Sequence, residues 1–482
     1  MVVYNKKRYG KSLEQPHGCI SGIVFGILIG SLLAVVATAQ DFDVGLEAYQ
    51  RGDYEDAFQE FLPLAKADNV KAQYYLARIL YYDENNDEAV KWFLQAADQG
   101  DADAQAFLGY MYDNGEGVVQ DYGEAANWYR LAAEQGNVYS QLHLGRIYDF
   151  KELNKSVDKD TEEAKKWYLL AAEQGLAEAQ YYLGRLHLCI FTHQDQQDCY
   201  KEKVKWFRLA AEQGHAASQY SLGWNYRRGE GVPQNIFETV RLWHLAAGQG
   251  HSLSQSQLGD MYFYGEGVPK DYSEAIKWSL LAAEQGSLWS QIRLGDIYYF
   301  GMGVPKDYTE ALKWYRMAAL QGEKGVQYRG EDGAQYNLGL MYYYGEGTPQ
   351  NYKEALKWFM LSAERGYASS QYRLGVMNYA GEGTPQNYKE ALKWFRLAAE
   401  QGHAASQYNL GLLYYFGQGV LQNFVHAHVW VNLAAAQAQA EINEKARGIR
   451  DILQKKMTPT QVDEAQRIAS CWQPGKALAD CK

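Results

Sequence analysis

The sequence predicts an all-α fold made of many two-helix units in a row, and three observations carry that prediction. The first is self-similarity: "LAAEQGHAASQYSLG" at 209–223 returns as "LAAEQGHAASQYNLG" at 397–411. The second is a period. Tryptophans fall at 92, 128, 167, 206, 243, 278, 314, 358, 394 and 430, so that 36 residues separate 92 from 128 and 358 from 394. Spacing of this size marks a repeat array. The third is helical spacing that occurs twice within one period, with turn signals between.

Each element of a unit can be justified from residues 252–286, "SLSQSQLGDMYFYGEGVPKDYSEAIKWSLLAAEQG". Leu258 and Tyr262, four apart, share one face of a first helix; Ala275, Trp278 and Ala282 form the i, i+3, i+7 stripe of a second. Between them, "GEGVPK" supplies glycines for left-handed turns and a proline that stops helical continuation. Asp271 precedes Glu274 by three, a capping-box spacing that recurs at Asp307 and Glu310, Asn351 and Glu354, and Asn387 and Glu390. Gly286, after "AAEQ", suits a helix C-cap. A glycine also sits inside most first helices, Gly109 and Gly411 among them. It costs about 1 kcal/mol there against alanine, so close helix packing is expected to require it. Paired alanines such as Ala282 and Ala283 fit the same close approach, with Trp and Tyr filling the space between hairpins. Trp278 is accordingly expected in the core, where truncation to alanine would cost roughly 3–5 kcal/mol. Extra loop residues account for longer intervals near 149–161, 190–203 and 322–333.

Together "AAEQG", "SQYxLGxxYxxGxGVP" and "DYxEAxKWY" resemble the Sel1-like repeat, a relative of the tetratricopeptide repeat, over about residues 41–438. The opening "DFDVGLEAYQRGDYEDAFQEFLPLA" resembles a divergent first hairpin. After the array, "AHVWVNLAAA", "RDIL" and "MTPTQVDEAQRIA" resemble the closing segment of bacterial members. Thr458, Pro459 and Gln461 also suit the N-cap, N1 and N3 positions of a last helix. The resemblance implies an α/α solenoid, a right-handed superhelix of about eleven hairpins with capping helices over 439–482. It implies a scaffold for other proteins and supplies no reaction.

A chain of 482 residues ordinarily suggests several domains, but a repeat array grows by adding neighbours around one continuous core, so one elongated domain is expected. There are 47 basic and 58 acidic residues, a formal charge of −11, and no basic stripe interleaved with aromatics. That balance argues against a nucleic-acid partner. The N-terminus indicates export: basic "NKKRYGK" at 5–11 precedes the uncharged "GCISGIVFGILIGSLLAVVATAQ" at 18–40. Cleavage after Ala39, at the small pair Ala37 and Ala39, is the expected fate. An uncleaved membrane anchor is the alternative, since the run is long enough to span a bilayer and Gly22, Gly26 and Gly30 are spaced for helix packing. Either fate places the repeats outside the cytoplasm. Cleavage removes Cys19 and leaves Cys189 with Cys199 and Cys471 with Cys481, two local pairs expected to form disulfides in an oxidising compartment.

Other chemistry is weaker. The repeated "GEG" follows a helix instead of a strand, unlike a phosphate loop. The repeated glutamate of "EAxKW" reads as a cap and a partner for lysine. His187, Cys189, His193 and Cys199 include zinc-ligand types but match no standard spacing, and His426 and His428 lie two apart on a helix, so their side chains diverge. No catalytic set can be assembled, and no cofactor or metal is expected. A partner-binding face is expected where the units differ, beside the first-helix glycine: Phe107 and Tyr110, His143 and Arg146, Tyr182 and Arg185, Trp224, Asp260 and Asp296. The expected function is a non-catalytic scaffold or adaptor of the cell envelope or secreted space. The alternative is an enzyme or cell-wall-ligand binder, prompted by cysteine-rich relatives acting on β-lactams. This chain departs from them in lacking a cysteine pair in every unit.

Overall fold

A computed structural model describes residues 42–149, 160–186, 193–321, 331–437, 440–475 and 478–481. The export segment and Cys189 lie outside these. The described residues form α-helices, one short 3-10 turn at Leu478–Cys481 and no strand. The chain divides into two compact units, Met1–Ser218 and Gln219–Lys482.

The N-terminal unit holds α1 (Phe42–Arg51) with α2 (Tyr54–Lys66), α3 (Val70–Tyr82) with α4 (Asn86–Asp98), and α5 (Ala102–Asn114) with α6 (Tyr122–Glu134). It continues with α7 (Val138–Asp149) and α8 (Thr161–Glu173), then α9 (Ala177–Leu186) and α10 (His193–Glu212). At the boundary α11 (Ala216–Arg228) begins, followed by α12 (Ile236–Gly248), α13 (Ser252–Tyr264) and α14 (Tyr272–Glu284). The C-terminal unit goes on through α15 (Leu288–Phe300), α16 (Tyr308–Gln321), α17 (Glu331–Tyr344) and α18 (Tyr352–Glu364). Then come α19 (Ala368–Ala380), α20 (Tyr388–Glu400), α21 (Ala404–Phe416) and α22 (Phe424–Ala435). These are eleven hairpins; α23 (Ala440–Gln454) and α24 (Pro459–Cys471) follow, and Trp472 meets Trp430 of α22 edge-on at 6.0 Å.

The turn chemistry follows the sequence with one correction. Asp271 caps α14, accepting from the amides of Ser273 at 2.8 Å and Glu274 at 3.1 Å. The reciprocal half of a capping box is missing there, because the Asp271 amide donates to the Tyr262 carbonyl at 2.9 Å and Glu274 turns to Lys277 at 3.0 Å. The full box forms at Thr458 and Gln461, where no preceding carbonyl competes. Gly265 ends α13 in the left-handed region at φ 76°, as its place before the turn requires.

A hydrogen-bonded relay explains the recurring glutamines of "SQ" and "EQG". Buried Gln141 donates to the Ala133 carbonyl of the preceding hairpin at 3.1 Å and accepts from Gln174 of its own hairpin at 2.8 Å. The pattern returns at Gln105 with Gln135, Gln255 with Gln285, and Gln371 with Gln401. Buried amides need partners, and this joint gives one to each end of the Gln141 side chain. Gln141→Leu is expected to lower stability by about 1 kcal/mol in chemical denaturation, because it removes the bonds to the Ala133 carbonyl and the Gln174 amide, while that carbonyl keeps the Gly136 amide at 3.0 Å and exposed Gln174 can turn to water.

The first-helix glycines are seats for rings. A Cβ on Gly109 would lie 2.5 Å from Tyr129, and one on Gly339 would lie 2.6 Å from Phe359. The ring belongs to the residue after the repeat tryptophan, and Tyr129, Tyr168, Tyr315, Phe359 and Phe395 are all buried there. One unit slips by a residue: Leu242 takes the tryptophan place and Trp243 fills the seat on Gly223, its indole N–H donating to the Tyr220 carbonyl at 3.1 Å. This slip produces the uneven tryptophan spacing around position 243. In the next unit Ser279 occupies the seat on Gly259, and Trp278, expected in the core, is only partly buried, edge-on to His244 at 5.5 Å. The expected cost of Trp278→Ala falls accordingly, since less surface leaves water there.

Candidate functional site

The face lined by the first helices carries the residues that vary between units, and their geometry divides them by position. Two places before the glycine, each side chain lies on the ring of the preceding second helix. Phe107 stacks on Phe93 at 4.8 Å and is 2% exposed, which removes it from the expected docking surface and places it in the core. His143 stacks on Tyr129 at 5.1 Å and Tyr182 on Tyr168 at 5.2 Å, both half-buried. The His143 Nδ1 also lies 3.6 Å from Asp113.

One place after the glycine, the side chains reach further out. Tyr110 is half-buried, edge-on to Tyr81 at 6.5 Å. Arg146 and Arg185 approach the ring of Tyr182 at 6.0 and 5.5 Å, and Arg185 lies 3.8 Å from Asp149. In the C-terminal unit, Trp224 meets Trp243 edge-on at 5.2 Å and carries the guanidinium groups of Arg227 and Arg228 at 5.1 and 4.8 Å. Asp260 accepts from Arg293 Nε at 3.0 Å, and Asp296 accepts from the Tyr315 hydroxyl at 2.6 Å. Burial raises both carboxyls above the usual range, in Asp260 against the opposing pull of Arg293. These two aspartates tie neighbouring helices together, and a partner would reach only what those bonds leave uncovered.

The most exposed feature of this face went unread in the sequence. The last residue of several first helices, just before the turn glycine, is an aromatic ring largely in water: Tyr264 at 62%, Phe300 at 54%, Tyr344 at 50% and Phe416 at 59% exposure. The signal was present in "YFYG", "YYFG" and "YYYG", where aromatics fill successive positions but only some can face the core. Beside this column, α19 and α21 enclose a groove of about 290 Å³ lined by Tyr372, Val376, Tyr379, Phe395, Asn409 and Leu412. Four of these six side chains are aromatic or aliphatic residues drawn from the first helices, so the groove suits an apolar side chain.

Elsewhere, His428 is buried, 3.2 Å from the Gln454 amide nitrogen, while His426 faces Tyr414 at 5.1 Å, so the two diverge as their spacing predicts. Among the described residues no three His, Cys, Asp or Glu side chains converge as metal ligands, and no helix is long and apolar enough to cross a membrane. Cys471 and Cys481 have Cα atoms 5.6 Å apart and sulfurs at bonding distance.

The Sel1 repeat model matches residues 70–101, 102–137, 138–176, 177–191, 204–215, 216–251, 252–287, 290–323, 333–367, 368–403 and 404–438. Among solved structures, the chain is similar to a protective antigen of uropathogenic Escherichia coli strains that displays this repeat fold. The identity is 31% and the TM-score 0.53, over 88% of this chain and 96% of that one. A Sel1 repeat protein from Oxalobacter formigenes is 29% identical with a TM-score of 0.53, over 73% of this chain and 97% of that one. None of the curated proteins compared with the chain matches it. Sel1 repeat proteins generally mediate protein–protein interaction and are typically non-catalytic. Repeated sequence, ring-on-glycine packing and both structural likenesses agree, and the chain belongs to the Sel1 repeat family.

Proposed function

We propose that the protein is a non-catalytic scaffold outside the cytoplasm that holds other proteins on the face lined by its first helices. The column of exposed rings in the C-terminal unit, Tyr264, Phe300, Tyr344 and Phe416, carries this reading. Rings left in water at one place in α13, α15 and α17 and again in α21, with Ala380 taking that place in α19, add apolar surface of the kind that partners cover, and aromatic residues supply much of the binding energy in protein interfaces. Leu340, Val376 and Leu412, one place after their glycines, continue the apolar character beside the groove. Export is supported by the charge and apolar pattern of residues 5–40 and by the closeness of Cys471 and Cys481, which suits an oxidising compartment.

The test compares proteins retained from envelope extracts by the full chain and by a variant with Tyr264, Phe300, Tyr344 and Phe416 all changed to serine. A control changes Phe237 and Leu421, which are still more exposed and lie off the first helices. Loss of retained proteins in the first variant alone is expected; equal retention by both would defeat the reading. For location, peptide mapping of protein from its native compartment is expected to find Cys471 linked to Cys481, and alkylatable thiols at both would count against export.

A further inference from the structure

The residue that opens a first helix is placed to cap a bare backbone amide, and its chemistry differs along the chain. Asp101 before α5 accepts from the Ala104 amide at 3.0 Å, Asn137 before α7 from Ser140 at 2.9 Å, and Ser287 before α15 from Ser290 at 3.4 Å. Three units use histidine instead. His215, His251 and His403 turn Nδ1 toward the serine amide three residues on, at 3.2 to 3.3 Å, and toward that serine's hydroxyl at 2.9 to 3.0 Å. Each ring also lies on a tyrosine of the preceding first helix, Tyr181, Tyr220 and Tyr372 in turn, at 5.1, 5.0 and 4.9 Å. Unlike asparagine or serine, an imidazole gains a proton in mild acid.

At His403 the consequence of that proton can be followed atom by atom. Accepting the Ser406 amide requires a lone pair on Nδ1, so the neutral ring carries its hydrogen on Nε2. A second proton sets an N–H at Nδ1 against the Ser406 N–H, donor facing donor, and puts positive charge at a helix N-terminus whose dipole repels it. Ser406 is buried, so its amide has no water to turn to. Burial, and after it the Arg373 guanidinium of α19, hold the His403 ring below the usual histidine range. The charged groups of the neighbouring elements are engaged elsewhere: Glu400 of α20 answers to Arg396 and to Asp480 of the tail, and Lys445 of α23 pairs with Glu441 at 2.7 Å.

We propose that His403 is a pH-sensitive fastener of the groove between α19 and α21, closed while the ring is neutral and released when it takes up a proton. Both walls depend on it. Tyr372, on which the ring lies, lines the α19 side, and the helix that His403 caps carries Asn409 and Leu412. Tyr367, at the corresponding place before α19, makes no side-chain cap, so with His403 protonated both walls begin uncapped. The proposal concerns the joint itself and holds whether or not a partner fills the groove. Its sign follows from linkage. The unfolded ring takes its proton near the ordinary value of about 6.5 and the folded ring only at lower pH, so the cap's stability is full above that value and is lost as pH falls from there through the folded value.

The test compares the full chain with His403→Asn, a cap of the kind that Asn137 gives α7, and with His403→Ser, of the kind that Ser287 gives α15. Hydrogen exchange of residues 404–416 is read by mass spectrometry at about pH 7.5 and about pH 5. Pairing the proteins at each pH cancels the dependence of intrinsic exchange on acidity. Equal protection is expected at the higher pH; at the lower one the wild type should exchange about fivefold faster than either variant, the factor for one lost helix cap. Residues 138–149, capped by Asn137, should exchange alike in all three proteins. Nuclear magnetic resonance of the His403 imidazole, assigned by its loss in the variants, should show it titrating below the ordinary histidine range. The proposal is overturned if wild type and variants respond equally to acid, or if the ring titrates within or above that range.

Discussion

Phe359→Ala is expected to lower the unfolding free energy by about 3–5 kcal/mol, the range for a buried phenylalanine truncated in a core that cannot collapse. Phe359 is fully buried, seated on Gly339 and packed among Ala355, Leu374, Met377 and Trp394. A second helix deprived of this ring would face a bare glycine, and two backbones already close have little room to close further. Denaturant titration followed by far-ultraviolet circular dichroism measures the effect. Trp278→Ala provides the contrast, since that side chain is only partly buried and should cost clearly less. Equal losses at the two sites would refute the assignment of the seat to the residue after the tryptophan.

Gly295→Val should cost about 3 kcal/mol by overfilling the same kind of joint. A Cβ at Gly295 would already lie 2.5 Å from the Tyr315 ring, and valine adds two further carbons. Helix propensity acts in the opposite direction, because glycine is the worse helix former by a few tenths of a kcal/mol, too little to offset the clash. Gly259 offers an internal control. Its seat holds Ser279, whose hydroxyl is the nearest atom at 2.5 Å and can rotate away, so Gly259→Ala should be close to neutral. Thermal melting of the two variants decides the matter, and a stabilised Gly295→Val would show that the ring can move aside.

The parts of this molecule readable in its sequence are those set by local chemistry. Period, paired helices, turn glycines and caps depend on a few neighbouring residues, and "GEGVPKDYSEA" specifies all of them together. Contacts between units were harder to read. The repeated glutamines look like surface residues until Gln141 is seen to bond a carbonyl eight positions back and an amide thirty-three positions on. Phe107 looked variable and outward because Tyr, His and Ser share its place, yet a phenylalanine there stacks inward on Phe93 while polar neighbours keep an edge in water. The tryptophan count hid a one-residue slip at Trp243, since periodicity records where rings occur and not which seat they fill. The exposed ring column was missed for a related reason: three aromatics in succession cannot all face one core, and only the helix phase shows which one is left out.

The glutamine relay also gives the chain a grammar for editing. Each joint is written half in one repeat and half in the next, an alanine carbonyl before and a glutamine amide after, and the halves are alike along the chain. If residues 368–403 were excised, Gln407 would meet Ala363 in place of Ala399, and Tyr367 would stand where His403 opens α21. Since every such cut leaves a join of the same form, whole repeats can be lost or duplicated without a new interface having to be invented. A shift of a few residues inside a helix would instead misalign ring, glycine and amide at once, whereas extra loop residues, as near 149–161 and 322–333, lie between the halves of a joint and leave its bonds in place.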